Sequence, residues 1–317
     1  MLRQLLPPPA VPALPQGLRF VVLDATTGQA PGAQGTDHRL HISLDLVSLE
    51  FLEVSISDVP TGETLTNFTL GRGEVASTDR GYCHPAGMGH ALAQGAQLLV
   101  RLTPFRVVLC EPMEQPLVLG TALQRQQTDT IRTREVGLQS TDGQQQVRGW
   151  GHADRLSAAP AGRARHQCRQ RHTKGAPKAA TLFLAGGGLV FTTLAPTVVS
   201  APTIMALYRC RWQGELAIKR WKSGRDMDAL RAKAPSPRAA VWLHGKLLYV
   251  LLLERRMRRQ LGDPWRRWDH ARLATGWRAW EMRQDEITPM MTGSLFWKAE
   301  AWEAWLHVLA ERPRRRT

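Results

Sequence analysis

The chain has 317 residues, with 42 lysines and arginines against 27 aspartates and glutamates, giving a formal net charge of +15 and a pI near 10.7. Hydrophobic content of 43% and charged content of 22% exclude a disordered chain and supply enough apolar material for a buried core; the cationic excess asks for a polyanionic partner, nucleic acid first. Cys83, Cys110, Cys168 and Cys210 share no paired spacing, which excludes a disulfide framework and a CxxC zinc site and fits a reducing cytosol.

The opening MLRQLLPPPAVPALP is too broken by proline for a signal peptide, and residues 7–15 read as a linker or entry segment. LRFVVLD (18–24) is an apolar run closing on an acid, HRLHISLDL (38–46) alternates, and LEFLEVSISD (49–58) alternates in part. These predict three strands of an antiparallel meander, with the Gly and Pro of 28–37 in a hairpin connection. A short helix is expected within 61–70. EVASTD (74–79) reads as a strand ending on an acid, PAGMGHALAQG (85–95) as a helix and QLLVRL (97–102) as a strand. Strands followed by alternating helix and strand predict an α/β sheet.

Residues 105–180 are polar and lack a helical period, so exposed strands and turns are expected there, with RARHQCRQRHTKGAPK (163–178) as a basic loop or arm. TLFLA (181–185) and LVFTT (189–193) flank Gly186–Gly188 and predict a hairpin. From Pro202 the chain turns helical: PTIMALYRCRWQGELAIKRWKS reads as one long helix and RAAVWLHGKLLYVLLLERRMRRQL (238–261) as a second. The apolar run Leu247–Leu253 is bounded by Lys246 and Glu254 and falls far short of the roughly 20 residues of a membrane span, so no membrane partner is expected. Every tryptophan except Trp150 lies from Trp212 onward, and the chain ends in RPRRR (312–316). The Trp-rich helices read as core, while RRMRR (255–259) and RPRRR read either as solvated ends or as non-specific phosphate contacts.

Tyr208, Arg211, Glu215 and Lys222 fall on one stripe of the predicted helix, with Lys219 one turn beyond Glu215. Such a stripe is a solvated face with an Arg211–Glu215 pair, or part of a site. Asp24 and Asp79, each ending a predicted strand, shift the weight towards a site. Carboxylates at neighbouring strand ends, joined by a helical Glu, suit hard divalent cations, and two such ions serve phosphodiester cleavage. His166, Cys168 and His172 are a weaker candidate for metal, set in a basic, turn-rich stretch.

These residues resemble the IS4 family of DDE transposases. YRCRWQGELAIKRWKS is similar to that family's Y-(2)-R-(3)-E-(6)-K signature at all four positions, a match expected by chance roughly once in 10⁵ starts at average residue frequencies of about 5%. VVLDATTGQAPGAQGTDHRLHISLDL resembles the first-aspartate region, STDRGY with QLLVRL the second, and LFLAGGGLVFTT and VWLHGKLLYVLLLERR resemble the segments around the glutamate helix. The resemblance runs from about residue 18 to the C-terminus. It implies an RNase H-like mixed sheet flanked by helices, with 18–104 as the first part of the catalytic domain and a β-rich insertion at 105–195. Residues 196–261 would carry the glutamate helix and the second part of that domain, 262–317 a helical C-terminal region with a basic tail, and 1–17 a linker or remnant. The resemblance also implies Asp24, Asp79 and Glu215 as the catalytic triad holding two Mg²⁺ ions, which Mn²⁺ can replace. Tyr208, Arg211 and Lys222 become contacts to double-stranded DNA, with Lys219 beside them and Trp150 as the holder of a flipped base.

Family members usually carry a helical DNA-binding segment before the first Asp, and Asp24 stands too early for one. Two readings follow. One is a cytoplasmic, nucleoid-associated transposase that cleaves element ends and transfers them into target DNA, as a homodimer on DNA. The other is a truncated, non-catalytic inhibitor of such an enzyme. A generic RNase H-like nuclease fits less well, because it has no need of the Tyr-Arg-Glu-Lys stripe.

Overall fold

The computed structural model describes residues 14–261, apart from 33–34, 59, 103–106, 112–114, 116, 118–127, 129, 141, 173–174, 226–228, 230–231 and 234–235, together with 267–268 and 272–273. Most of the expected N-terminal linker, the helical reading of 262–317 and the RPRRR tail lie outside the described residues.

The first three strands form where the apolar runs place them: β1 (Arg19–Gly28), β2 (His38–Asp45) and β3 (Phe51–Ser57). β1 does not stop at Asp24 as expected. Ala25, Thr26 and Thr27 continue it, and threonine is at home on a half-buried strand. β4 (Glu74–Thr78) and β5 (Gln97–Arg101) follow, each parallel to the strand before it in the sheet. Phe20–Leu23 and Val75–Thr78 are buried without a break, as parallel strands covered on both faces require. Between β4 and β5 runs α1 (Pro85–Ala93). Pro85 occupies its first turn, His84 Nδ1 accepts the Gly87 N–H at 3.2 Å, and Gly95 ends it at φ +86°, a conformation that glycine adopts without strain. The helix expected within 61–70 is only a 3₁₀ turn, Leu65–Asn67.

β6 (Val108–Cys110), β7 (Ile131–Gln139), β8 (Gln146–Arg155) and β9 (Gly187–Thr192) extend the sheet, so that neighbours bond in the order β3-β2-β1-β4-β5-β9-β8-β7-β6. Two helices interrupt this region. The expected basic loop is α2 (Ala158–Arg171), and TLFLA, expected as a strand, is α3 (Ala179–Ala185). The predicted hairpin about Gly186–Gly188 is therefore a helix-to-strand junction. A five-residue apolar run carries no period that separates helix from strand, and Arg, Gln and Ala are good helix formers whether exposed or not.

The long helix expected after Pro202 is two: α4 (Ala201–Cys210) and α5 (Trp212–Arg225). Arg211 keeps helical dihedrals, but its N–H bonds the Tyr208 carbonyl at 3.1 Å, an i→i−3 closure that tightens the last turn of α4. The stripe expected on one helix from 208 to 222 is therefore shared between two, with Tyr208 on α4, Arg211 at its C-terminal cap and Glu215 and Lys222 on α5. α6 (Pro237–Leu261) is the second long helix, and β10 (Arg267–Trp268) with β11 (Arg272–Leu273) forms a small antiparallel ladder.

The fold divides into two compact units. One takes Asp24–Gly62 and resumes at Trp212; the other takes the chain up to Leu23 and Glu63–Arg211. In the first, Leu40 and Ile42 of β2 pack with Ile218 and Trp221 of α5 and with Leu243 and Leu247 of α6. In the second, Val21 and Leu23 of β1, Leu98 and Val100 of β5 and Met88 of α1 share a core that runs on to Leu138 and Phe191.

Candidate active site

In the second unit the described geometry centres on Asp79. This residue follows β4 directly and caps the 3₁₀ turn Arg80–Tyr82, its Oδ1 accepting the Gly81 N–H at 2.6 Å. A carboxylate has about four lone-pair sites, so this cap leaves capacity for a further ligand. On α4, Arg211 stands with its guanidinium carbon 6.0 Å from the centroid of the Tyr208 ring and shares a hydrogen bond with the phenol. Burial raises the Tyr208 pKa above its ordinary value. The charges of Arg211 and Arg101 pull it down, and that of Asp79 pushes it up. Desolvation wins, and the phenol stays a neutral donor and acceptor.

Arg101 is not among the residues the sequence singles out, though QLLVRL is. A cation at the end of the strand beside β4 is the only signal for it, and strand ends carry charges for many reasons. An ion pair links α4 to the sheet. Asp154 on β8 accepts the Gly188 N–H at the start of β9 and lies 3.6 Å from Arg209 Nη2, next to Tyr208 in the chain.

In the first unit, α5 presents Glu215, half-buried, in its first turn. Lys219 lies with Nζ 4.6 Å from the centroid of the Trp212 indole, a cation–π pair. Lys222 donates from Nζ to the Thr27 carbonyl at 3.4 Å, three residues beyond Asp24 on β1. The chain after α5 keeps this company, since Ala229 bridges Gln29 in parallel. Asp24 is half-buried, and its Oδ1 accepts the Ala25 N–H at 2.9 Å.

The ladder between β1 and β4 pairs Val22 with Ser77. Among the described residues no group of three or more His, Cys, Asp and Glu side chains is gathered as a formed metal site. That includes His166, Cys168 and His172, which α2 and its cap separate: His166 is exposed and hydrogen-bonded to Gln170, and His172 follows the helix. Trp150 sits mid-strand on β8, paired with Glu135 on one side and Thr192 on the other.

A parallel strand followed by an acid, in one unit with a helix that carries tyrosine and ends on arginine, accords with a DDE-type transposase domain. The family model described as "Transposase DDE domain" matches residues 15–251, and the chain belongs to that family, among the DDE transposases of the IS4 kind. It is 29% identical over 251 residues to the putative transposase InsL for insertion sequence element IS186A of Escherichia coli K12, covering 77% of this chain and 68% of that protein. The transposase for insertion sequence element IS421 of Escherichia coli is equally similar, at 29% identity over 77% of this chain and 67% of its own length. No helix among the described residues is long and apolar enough to cross a membrane.

Proposed function

We propose that the protein is a transposase of an insertion sequence, cleaving DNA phosphodiesters at element ends and joining the freed 3′-hydroxyl to target DNA, with Asp24, Asp79 and Glu215 as its acidic triad. The observation that carries this reading is the family match over residues 15–251, which encloses all three acids and the Tyr208–Lys222 segment. The strand order β3-β2-β1-β4-β5, with β1, β4 and β5 parallel, supports an RNase H-like catalytic core. On this reading residues 18–104 and 196–261 build the core, and 105–195 are the insertion.

The tie between Lys222 and the Thr27 carbonyl supports a partnership of Asp24 and Glu215, because it joins the helix that carries Glu215 to the strand that carries Asp24. The three acids offer carboxylate oxygens only, the donor set of Mg²⁺ or Mn²⁺ rather than of zinc. Two such ions, when bound, supply charge neutralisation at the attacked phosphate and a more acidic water or hydroxyl. The chain's own part is to hold and orient. Arg211 presents a planar fork to phosphate oxygens, Tyr208 donates as a neutral phenol, and Lys222 adds a fixed positive charge beside β1. Lys219 and Trp150 would contact the same DNA further out, and synapsis of two ends would require a dimer. The setting of this work is the cytoplasm, on chromosomal DNA.

The test is nicking of a plasmid carrying the element's own ends. With Mg²⁺ or Mn²⁺ the wild type is expected to nick, and Asp24→Asn to lose about a thousandfold or more in rate while still binding the DNA. Nicking by Asp24→Asn at the wild-type rate would remove the triad.

A further inference from the structure

We infer that α2 is a duplex-binding helix, gripping the phosphates of DNA flanking the cleavage site without reading its sequence. The inference rests on DNA being the substrate, as proposed above, but on none of the catalytic assignments. Its starting point is a charge asymmetry. No Asp or Glu occurs between Asp154 and Glu215, while Arg163, Arg165, Arg169, Arg171, Lys174 and Lys178 cluster within that span. An ordinary exposed helix interleaves acids with its bases at i,i+4, and α2 has none.

The helix is held in a fixed orientation. Ala161 is buried, and Arg165 turns inward, its Nε donating to the Leu182 carbonyl of α3 at 3.3 Å. The Arg165 guanidinium caps the end of α3 so closely that a Cβ on Gly186 would fall 2.7 Å from Nη2. A cation at a helix C-terminus is favourable, so this arginine serves packing. The opposite face carries Arg163, His166, Gln167 and Gln170, at i, i+3, i+4 and i+7; Arg169 lies one turn beyond Arg165, towards the inward side, and all five side chains are exposed. The Gln170 amide reaches His166 Nε2 at 3.0 Å. Among the described residues no carboxylate forms an ion pair with Arg163 or Arg169.

Arg163 and Arg169 lie about 9 Å apart along the helix axis, the axial span of roughly three phosphates of one DNA strand. An outward face of arginine, histidine and glutamine offers donors to phosphate at each turn. It has no Trp, Phe or Leu stripe, and so lacks what an interfacial membrane helix needs. The helix is also tied to the candidate site within its own unit. It begins shortly after Asp154, which pairs with Arg209 beside Tyr208, and Arg155 stacks over Phe183 of α3 at 5.7 Å. The cationic face thus belongs to the same compact unit as Tyr208 and Arg211.

The experiment measures binding of the full chain to duplex DNA of unrelated sequence by fluorescence anisotropy across a salt series. Arg163→Gln combined with Arg169→Gln is expected to flatten the slope of log K against log[salt] by about 2, near 0.9 for each phosphate that is no longer neutralised. Affinity should fall by the same factor for every sequence, while the melting temperature and the nicking rate at saturating DNA stay at wild-type values. Arg72→Gln, an exposed arginine elsewhere in the same unit, should leave the slope unchanged. An unchanged slope in the double variant, or an equal loss in Arg72→Gln, overturns the inference. Wild-type protein that binds but never nicks would instead count against the catalytic proposal, and the double variant's slope would still decide the role of α2.

Discussion

Helices α2 and α5 have the same length, 14 residues each, and both are rich in cations, yet they hold those cations in opposite ways. On α5, Lys219 lies over Trp212 and Lys222 is fastened to the Thr27 carbonyl, while Trp221 anchors the helix in a core with Leu40 and Ile42. On α2 Arg165 is anchored, whereas Arg163 and Arg169 face solvent. A cation already fixed has lost its side-chain entropy before any ligand arrives, and so can act on geometry. One left in solvent contributes affinity that salt screens away. On the proposed function α5 would therefore serve rate and α2 grip.

The largest effect comes from removing the anchor of α5. Trp221 is 1% exposed and its ring lies 4.4 Å, centroid to centroid, from that of Phe51 on β3. Trp221→Ala should cost about 3–5 kcal/mol of stability, read as a lowered urea midpoint. Trp221→Phe should cost far less, because the indole N–H finds no acceptor among the described residues and its removal leaves nothing unpaired. Equal losses in the two variants would mean that the indole shape, and not its bulk, holds α5.

The next effect separates the two helices directly. Lys222→Met keeps the length of the side chain and removes its charge. Nicking at saturating DNA should fall on the order of a hundredfold, with the salt slope of binding reduced by no more than about 1. A loss confined to affinity would place Lys222 with the cations of α2 and erase the contrast.

How much of this is legible in the sequence follows from the same physics. β1 is legible, since it opens on a continuous apolar run that Asp24 interrupts, and β4 is in part, as a short strand-like stretch, Glu74–Thr78, that Asp79 follows. The core face of α5 is only partly legible, because Trp221 declares burial but not its partner on β3. α2 and α3 read wrongly as loop and strand. α2 turns small residues and one arginine inward and donors outward, so its period is faint, and the five apolar residues 181–185 fit either element. The closure at Arg211 has no proline or glycine to announce it. Arg101 acquires meaning only when α4 brings Tyr208 towards it, a relation between segments more than a hundred positions apart.

The smallest effect is on stability against pH, and it sharpens the comparison by reaching the strand beneath α5. Leu40 and Ile42 face Trp221, so His41 between them points to the other side of β2, where its Nε2 meets Ser57 Oγ at 2.8 Å. Burial, reinforced by Arg39, pushes its pKa down to about 4. Burial also lowers His38 on the same strand and His152 on β8. A depressed imidazole pKa means that the native state resists a proton the unfolded chain accepts. Its contribution is complete above an unfolded pKa of about 6.5 and declines as pH falls towards 4. Urea midpoints should therefore drop between about pH 6.5 and 5, before the carboxylates begin to titrate. His41→Gln, which can keep the bond to Ser57, should flatten that decline. A decline unchanged by His41→Gln but flattened by His152→Gln would place the acid-sensitive strand in the unit that holds α2, and leave β2 beneath α5 indifferent to protons.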